Sequence, residues 1–173
     1  KSTYMIHHED ENLKHHRAPQ FIHLVRDPRD VAVSAGKSDF CHYHPYYVAD
    51  LWRREQRLGL AAAGQLKAST WLTLRYEDLI QDPAKAMQRV CKFLGESYRD
   101  DLLQYFDKPE ARALSRLSRS WENVGLPVIK ENSEKFRAQL TTREIALIES
   151  VAGHEMRELG YATDSTTLLP RAF

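Results

Sequence analysis

Arg26 and Ser34 are spaced so that they could hold an anion together. Arg26 follows the apolar run Phe21-Ile22-His23-Leu24-Val25, which reads as a buried strand, and so stands at a strand end. Its guanidinium can give charge-assisted hydrogen bonds, and a hydroxyl at Ser34 can add one more from the helix that follows. The plain alternative is that Arg26 pairs with Asp27 or Asp30 and that Ser34 is an ordinary helix serine. Other residues could also do chemistry. His7 and His8 lie in a polar loop, and imidazole is suited to taking a proton near neutral pH; a merely solvated loop is the alternative there. His42 and His44 could bind a metal, but spacing places no further ligand. Gly36-Lys37-Ser38 has the look of the end of a phosphate-binding P-loop. The position of that loop's first glycine is Val31, however, and the segment falls late in a helix rather than between strand and helix. Glu77 and Asp78 are adjacent at a strand end, so they point apart and read as structural.

The elements that must position these residues are legible in the pattern. Asp27 can cap the free N–H groups of a helix, Pro28 suits its first position, and Asp30 adds a carboxylate in the positive first turn. Residues 48–66 form a helix with Val48, Leu51, Trp52, Leu58 and Ala62 on a core-facing stripe. Residues 70–76 form a second strand, β-branched and apolar. Asp82-Pro83 repeats the cap-plus-proline start. Met87, Val90, Cys91 and Leu94 then follow at helical spacing, and Gly95 stops the helix. Residues 96–135 are polar with short helical pieces, and residues 121–127 read as a loop. Thr141 and Glu144 form a capping box for a helix carrying Ile145, Ile148, Ala152, Met156 and Leu159 on one face, closed by Gly160.

The stretch from Phe21 to Ser34 resembles the 3′-phosphate signature of sulfotransferases that use 3′-phosphoadenosine-5′-phosphosulfate (PAPS). A second stretch, Leu74-Arg75-Tyr76-Glu77-Asp78-Leu79 through Asp82-Pro83 to Phe93-Leu94-Gly95, resembles the same family in the expected order. So does the closing Leu159-Gly160-Tyr161. The resemblance implies an α/β fold: a parallel sheet flanked by helices, in the three-layer architecture that sulfotransferases share with P-loop NTPases. It implies that Arg26 and Ser34 hold the 3′-phosphate and that Tyr76 lies beside the adenine. Residues 128–136 align loosely with the family's Arg-Lys-Gly loop, with Lys130 at the lysine position; Ile129, Glu131 and Glu134 replace the arginine and both glycines. Lys130 is otherwise a surface lysine. A Lys-Thr-His stretch precedes the signature in this family. Lys1 matches its lysine, Thr3 stands in place of its histidine, and His7 and His8 lie a few residues later, so Lys1, His7 and His8 are the catalytic candidates.

The implied activity is transfer of a sulfuryl group from PAPS to an acceptor hydroxyl or amine, leaving adenosine 3′,5′-bisphosphate, with no metal. A non-catalytic binder of that bisphosphate or another phosphorylated ligand, and a P-loop kinase-like phosphotransferase, are the alternatives. The kinase reading needs a phosphate-binding turn and a magnesium carboxylate that are not evident. The seven glycines, at 36, 59, 64, 95, 125, 153 and 160, build no Gly-rich turn after a strand. The reading is therefore of the C-terminal portion of a sulfotransferase domain over 1–163 with a tail over 164–173, incomplete at the N-terminus and unable to transfer sulfate alone. The 173 residues suit one domain with a real core, with 42% hydrophobic and 28% charged residues. A formal net charge of +1 gives no electrostatic case for nucleic acid. Two cysteines, Cys41 and Cys91, make no disulfide framework. No apolar run spans a bilayer and no signal peptide is visible, which points to the cytoplasm. The expected partner is a small-molecule or carbohydrate acceptor, and a homo-oligomer is left open.

Overall fold

The computed structural model describes residues 18–37, 44–117 and 119–163. The expected strand over 1–6, the candidates Lys1, His7 and His8, the residues Cys41 and His42, and the tail lie outside them.

Two parallel strands, β1 (Phe21–Val25) and β2 (Trp71–Arg75), pair in register from Phe21 opposite Trp71 to Val25 opposite Arg75. β1 leads into α1 (Pro28–Ala35), which is capped as its sequence requires: the Asp27 side chain accepts from the Arg29 N–H, and Pro28 opens the helix. The crossover back to β2 is the long helix α2 (Pro45–Gln65). It starts three residues before the expected position because His44 caps it through Nδ1 and Pro45 opens it. After β2 come α3 (Tyr76–Gln81) and α4 (Pro83–Leu94), so Tyr76 opens a helix rather than ending a strand. A kinked 3₁₀ stretch (Asp100–Asp107), α5 (Pro109–Ser115) and a second 3₁₀ stretch (Arg119–Gly125) follow. The second of these replaces most of the loop expected over 121–127. The short α6 (Phe136–Gln139) and the long α7 (Thr142–Glu158), with its Thr141–Glu144 capping box in place, complete the order.

Alternation along the strands puts helices on both faces, giving three layers. On one face Leu72 and Leu74 pack with Ala86, Met87 and Val90 of α4. On the other, His23 and Trp71 stack at 5.3 Å beneath α2. A second layer of helix contacts joins α1, α2 and α7 through Ala32, Val48, Ala49 and Ile148, and through Trp52, Ala152, Met156 and Tyr161. The expected stripe on α2 is only partly core. Val48, Trp52 and Ala62 are buried, but Leu51 and Leu58 are exposed at 46% and 37%. The buried ridge has shifted to Val48, Ala49, Gln56 and Gly59, because the helix faces α7 and the sheet at once. Leu94 of α4 is likewise exposed, and Ala86 takes a place in the core. Cys91 is buried and free. Among the described residues no helix is long and apolar enough to cross a membrane.

Gly59 is where α2 comes closest to the sheet. A Cβ there would stand 2.3 Å from the His23 ring. Gly59→Ala is therefore expected to destabilise the fold by about 1–3 kcal/mol, the scale of overpacking, despite alanine's better helix propensity. Urea titration measures this directly. Burial also holds the His23 imidazole below its ordinary 6.5, although Gln56 beside it acts the other way. The folded protein then keeps His23 neutral while the unfolded chain takes up a proton, so stability is full above 6.5 and falls as pH drops below it. Denaturation midpoints at pH 7.5 and 5.0 should show a loss that His23→Leu reduces.

Candidate functional site

The C-terminal ends of β1 and β2 meet at a set of interlocked side chains. The Arg26 carbonyl accepts from the Trp52 indole at 2.9 Å, which ties the strand end to α2. The Asp27 N–H donates to Glu77 Oε1, and the Tyr161 hydroxyl donates to Glu77 Oε2, both at 2.9 Å. Glu77 thus joins the ends of both strands to the chain just after α7, the structural role its position suggested. Its carboxylate and the burial of Tyr161 push the Tyr161 phenol well above its ordinary range, burial being the larger cause.

Two arginines sit three residues apart and are treated differently. Arg29 is buried. Its Nε and Nη2 donate to Asp27 at 3.0 and 2.7 Å, and its Nη1 donates to Glu149 at 2.6 Å. Burial opposes its charge, but the bonds and attraction of the two carboxylates outweigh that and hold the guanidinium above its ordinary range. Arg26 makes no ion pair among the described residues. Its Nη2 donates to the backbone carbonyl of Asn132 at 2.8 Å, its guanidinium lies 4.5 Å from the Tyr76 ring centroid, and its Nε is buried without a hydrogen-bond partner. The expected alternative, a pairing of Arg26 with Asp27 or Asp30, is not what forms. Asp27 engages Arg29, and Asp30 accepts from the Phe136 N–H at 3.0 Å.

That last bond helps fix the loop opposite Arg26. Phe136 is 1% exposed and packs its ring under the Arg29 guanidinium at 4.1 Å. The preceding turn places Asn132 so that its side-chain Nδ2 donates to the Tyr76 hydroxyl at 2.5 Å while its carbonyl accepts from Arg26. Beside this contact a cavity of about 260 Å³ opens, lined by Tyr76, Met87, Leu103, Tyr105, Ile129 and Asn132 among others. Its walls are mainly apolar, and its volume falls just short of a typical drug-sized pocket.

The structure brings Arg26 and Tyr76 into contact and sets the turn carrying Lys130 beside them through Asn132. Lys130 itself is exposed, and no hydrogen bond ties it to Arg26 or Tyr76. Ser34 is exposed near the end of α1 and shares no bond with the other candidates among the described residues. His44 is the cap of α2, and no cluster of three or more metal-ligating side chains occurs among the described residues. Asn132 and the Arg29–Asp27–Glu149 group were not singled out in the sequence. Glu149 lies 120 residues from Arg29, and a loop asparagine has no local pattern to mark it.

What this arrangement can do follows from its parts. A guanidinium without a counter-ion among the described residues, carrying an unpartnered N–H, fits an anion such as a phosphate. The aromatic wall and apolar cavity next to it fit a flat ring attached to that anion.

Comparison with known proteins gives the family and the fold. A family model described as the sulfotransferase family matches residues 1–100, more than half of the chain, and the chain belongs to that family. Protein-tyrosine sulfotransferase 2 of Gallus gallus is 30% identical over 88 residues, which cover 49% of this chain and 24% of that protein. The chain thus spans about a quarter of that relative's length. The sulfotransferase domain from the Synechococcus PCC 7002 olefin synthase superposes with a TM-score of 0.69 at 24% identity, over 87% of this chain and 56% of that one. The sulfotransferase domain from the curacin biosynthetic pathway gives 0.74 at 18% identity, over 94% and 61%. The fold is therefore the α/β sulfotransferase fold.

The loop bearing Asn132 includes Glu134, whose φ of 55° is the one left-handed backbone among non-glycine residues described. Side chains there cost roughly 1–2 kcal/mol. Its exposed pair with Arg137 offsets little of this. Glu134→Gly is expected to raise stability by up to about 1 kcal/mol, read as a higher urea midpoint at unchanged slope.

Proposed function

We propose that this chain carries the nucleotide-holding part of an enzyme that transfers the sulfuryl group of PAPS to an acceptor hydroxyl or amine. The observation that carries the reading is Arg26: a guanidinium at a strand end, without an ion-pair partner among the described residues, stacked on Tyr76, which lines an apolar pocket. In this reading Arg26 holds the 3′-phosphate. Ser34 adds a hydroxyl from α1, Tyr76 flanks the adenine, and Lys130 closes from the turn opposite. The relatives support it, since each is a sulfotransferase or a sulfotransferase domain by name; they do not favour a phosphotransferase or a non-catalytic binder.

The chemistry asked of the whole protein is an in-line displacement. A base, for which His7 and His8 are the candidates, takes the acceptor proton, the acceptor oxygen or nitrogen bonds to sulfur, and the bridging S–O bond breaks with its electrons going to the departing phosphate. The residues described here bind and orient the nucleotide, and binding energy far from the reacting sulfur is what aligns it. The acceptor is proposed to be a small molecule or a carbohydrate.

Arg26→Ala should weaken adenosine 3′,5′-bisphosphate binding by about 1.5–3 kcal/mol, the scale of a charge-assisted hydrogen bond. Arg26→Lys should restore only part, because a point charge cannot reproduce the planar fork. Isothermal calorimetry reads both. Equal affinity in Arg26→Ala and the unmutated chain would remove Arg26 from the site. ATP as the competing titrant should bind more weakly than the bisphosphate; tighter binding of ATP would favour the phosphotransferase class.

A further inference from the structure

A phenol oxygen can both accept and donate a hydrogen bond. At Tyr76 the accepting side is filled by Asn132 Nδ2. Among the described residues the Tyr76 hydroxyl has no acceptor for its proton, and Tyr76 lines the 260 Å³ pocket. The neighbouring Tyr105 hydroxyl, also on that wall, differs: it donates to the Leu126 carbonyl at 2.9 Å. Around Tyr76 the lining is apolar, from Leu79, Ile80, Met87 and Leu103. A donor left unpaired against such a surface under a bound ring is costly, so the wall discriminates between rings that accept a hydrogen bond and rings that do not.

Building on the nucleotide reading above, we infer that Asn132 is a positioning residue that sets base specificity. By donating to the Tyr76 oxygen it turns the Tyr76 hydroxyl into a donor aimed at the pocket, and so selects a base that presents a ring-nitrogen acceptor there. Adenine offers such acceptors on its ring edge. Asn132 does this while its backbone carbonyl holds Arg26, so one residue fixes both the cation for the phosphate and the reader for the base. Phe136, anchored by Asp30 and Arg29, holds the turn that makes this double contact possible.

The test compares two ligands with the same anions, adenosine 3′,5′-bisphosphate and ribose 3,5-bisphosphate, by calorimetry on the full 173-residue chain. The quantity read is the ratio of their affinities, which isolates the base. Asn132→Leu should lower this ratio about five- to ten-fold, the scale of one hydrogen bond. Tyr76→Phe, which keeps the ring and loses the donor, should lower it by a similar factor. The double variant should lower it no further than Tyr76→Phe alone, because Asn132 acts through the Tyr76 hydroxyl. Asn132→Asp, close in shape, covers the case in which leucine disturbs the turn; its carboxylate would accept the Tyr76 proton, so the ratio should again fall. An Asn132→Leu loss equal on both ligands, leaving the ratio unchanged, would overturn the inference and reduce Asn132 to a structural role. So would losses that multiply in the double variant. Failure of the unmutated chain to bind either ligand would instead overturn the nucleotide reading itself.

Discussion

Asp27 and Glu149 neutralise Arg29, and this buried group governs how the rest of the site is arranged. Two carboxylates on one guanidinium, all nearly out of water, form an arrangement that is costly to break, because removing one partner leaves a charge stranded. It fixes the first turn of α1 against α7. It also engages Asp27, the carboxylate next to Arg26 in sequence, and among the described residues Arg26 has no counter-ion at the strand end. The same Asp27 caps α1 through the Arg29 N–H, so helix start, ion group and open cation are set by a single side chain.

The loop facing Arg26 is held from beneath. Phe136 is packed under Arg29 and its N–H is bound by Asp30, so the turn before it has little freedom in where it puts Asn132. On the strand side, Glu77 grips Asp27 and Tyr161, and the Arg75 guanidinium lies 4.3 Å from the Tyr161 ring while donating to the Gly160 carbonyl. Arg26 and Tyr76 therefore sit between two braced structures, and the proposed ligand would require little rearrangement of them.

The parts written in local chemistry were readable before the structure. The strand before Arg26, the Asp27-Pro28 helix start, the Asp82-Pro83 start, the Thr141–Glu144 box and the core stripe Ile148, Ala152, Met156 each depend on neighbours within a turn or two. What depends on distant partners was not readable. The outward turn of Leu51 and Leu58 follows from α2 packing against two surfaces at once, which periodicity alone does not distinguish. That Tyr76 opens α3 rather than ending a strand goes with Arg75 and Glu77 being drawn toward Tyr161 and Asp27. Arg26 and Tyr76 were legible as single residues through their motifs, but their stacking, and the part of Asn132 in it, arises only when segments fifty or more residues apart meet.

That separation has a consequence for how the protein is made. β1 and β2 pair across fifty positions, so the sheet can close once β2 has left the ribosome. The contacts around the proposed nucleotide site reach much further: Arg26 to Asn132 and Asp30 to Phe136 span 106 residues, and Arg29 to Glu149 spans 120. Until residue 149 emerges, Glu149 cannot join Asp27 at the Arg29 guanidinium. The site is thus assembled only after residue 149 has emerged, later than the scaffold it sits on. Contacts of such long sequence separation close slowly, which leaves the half-made chain with an ordered sheet and an unlocked binding edge.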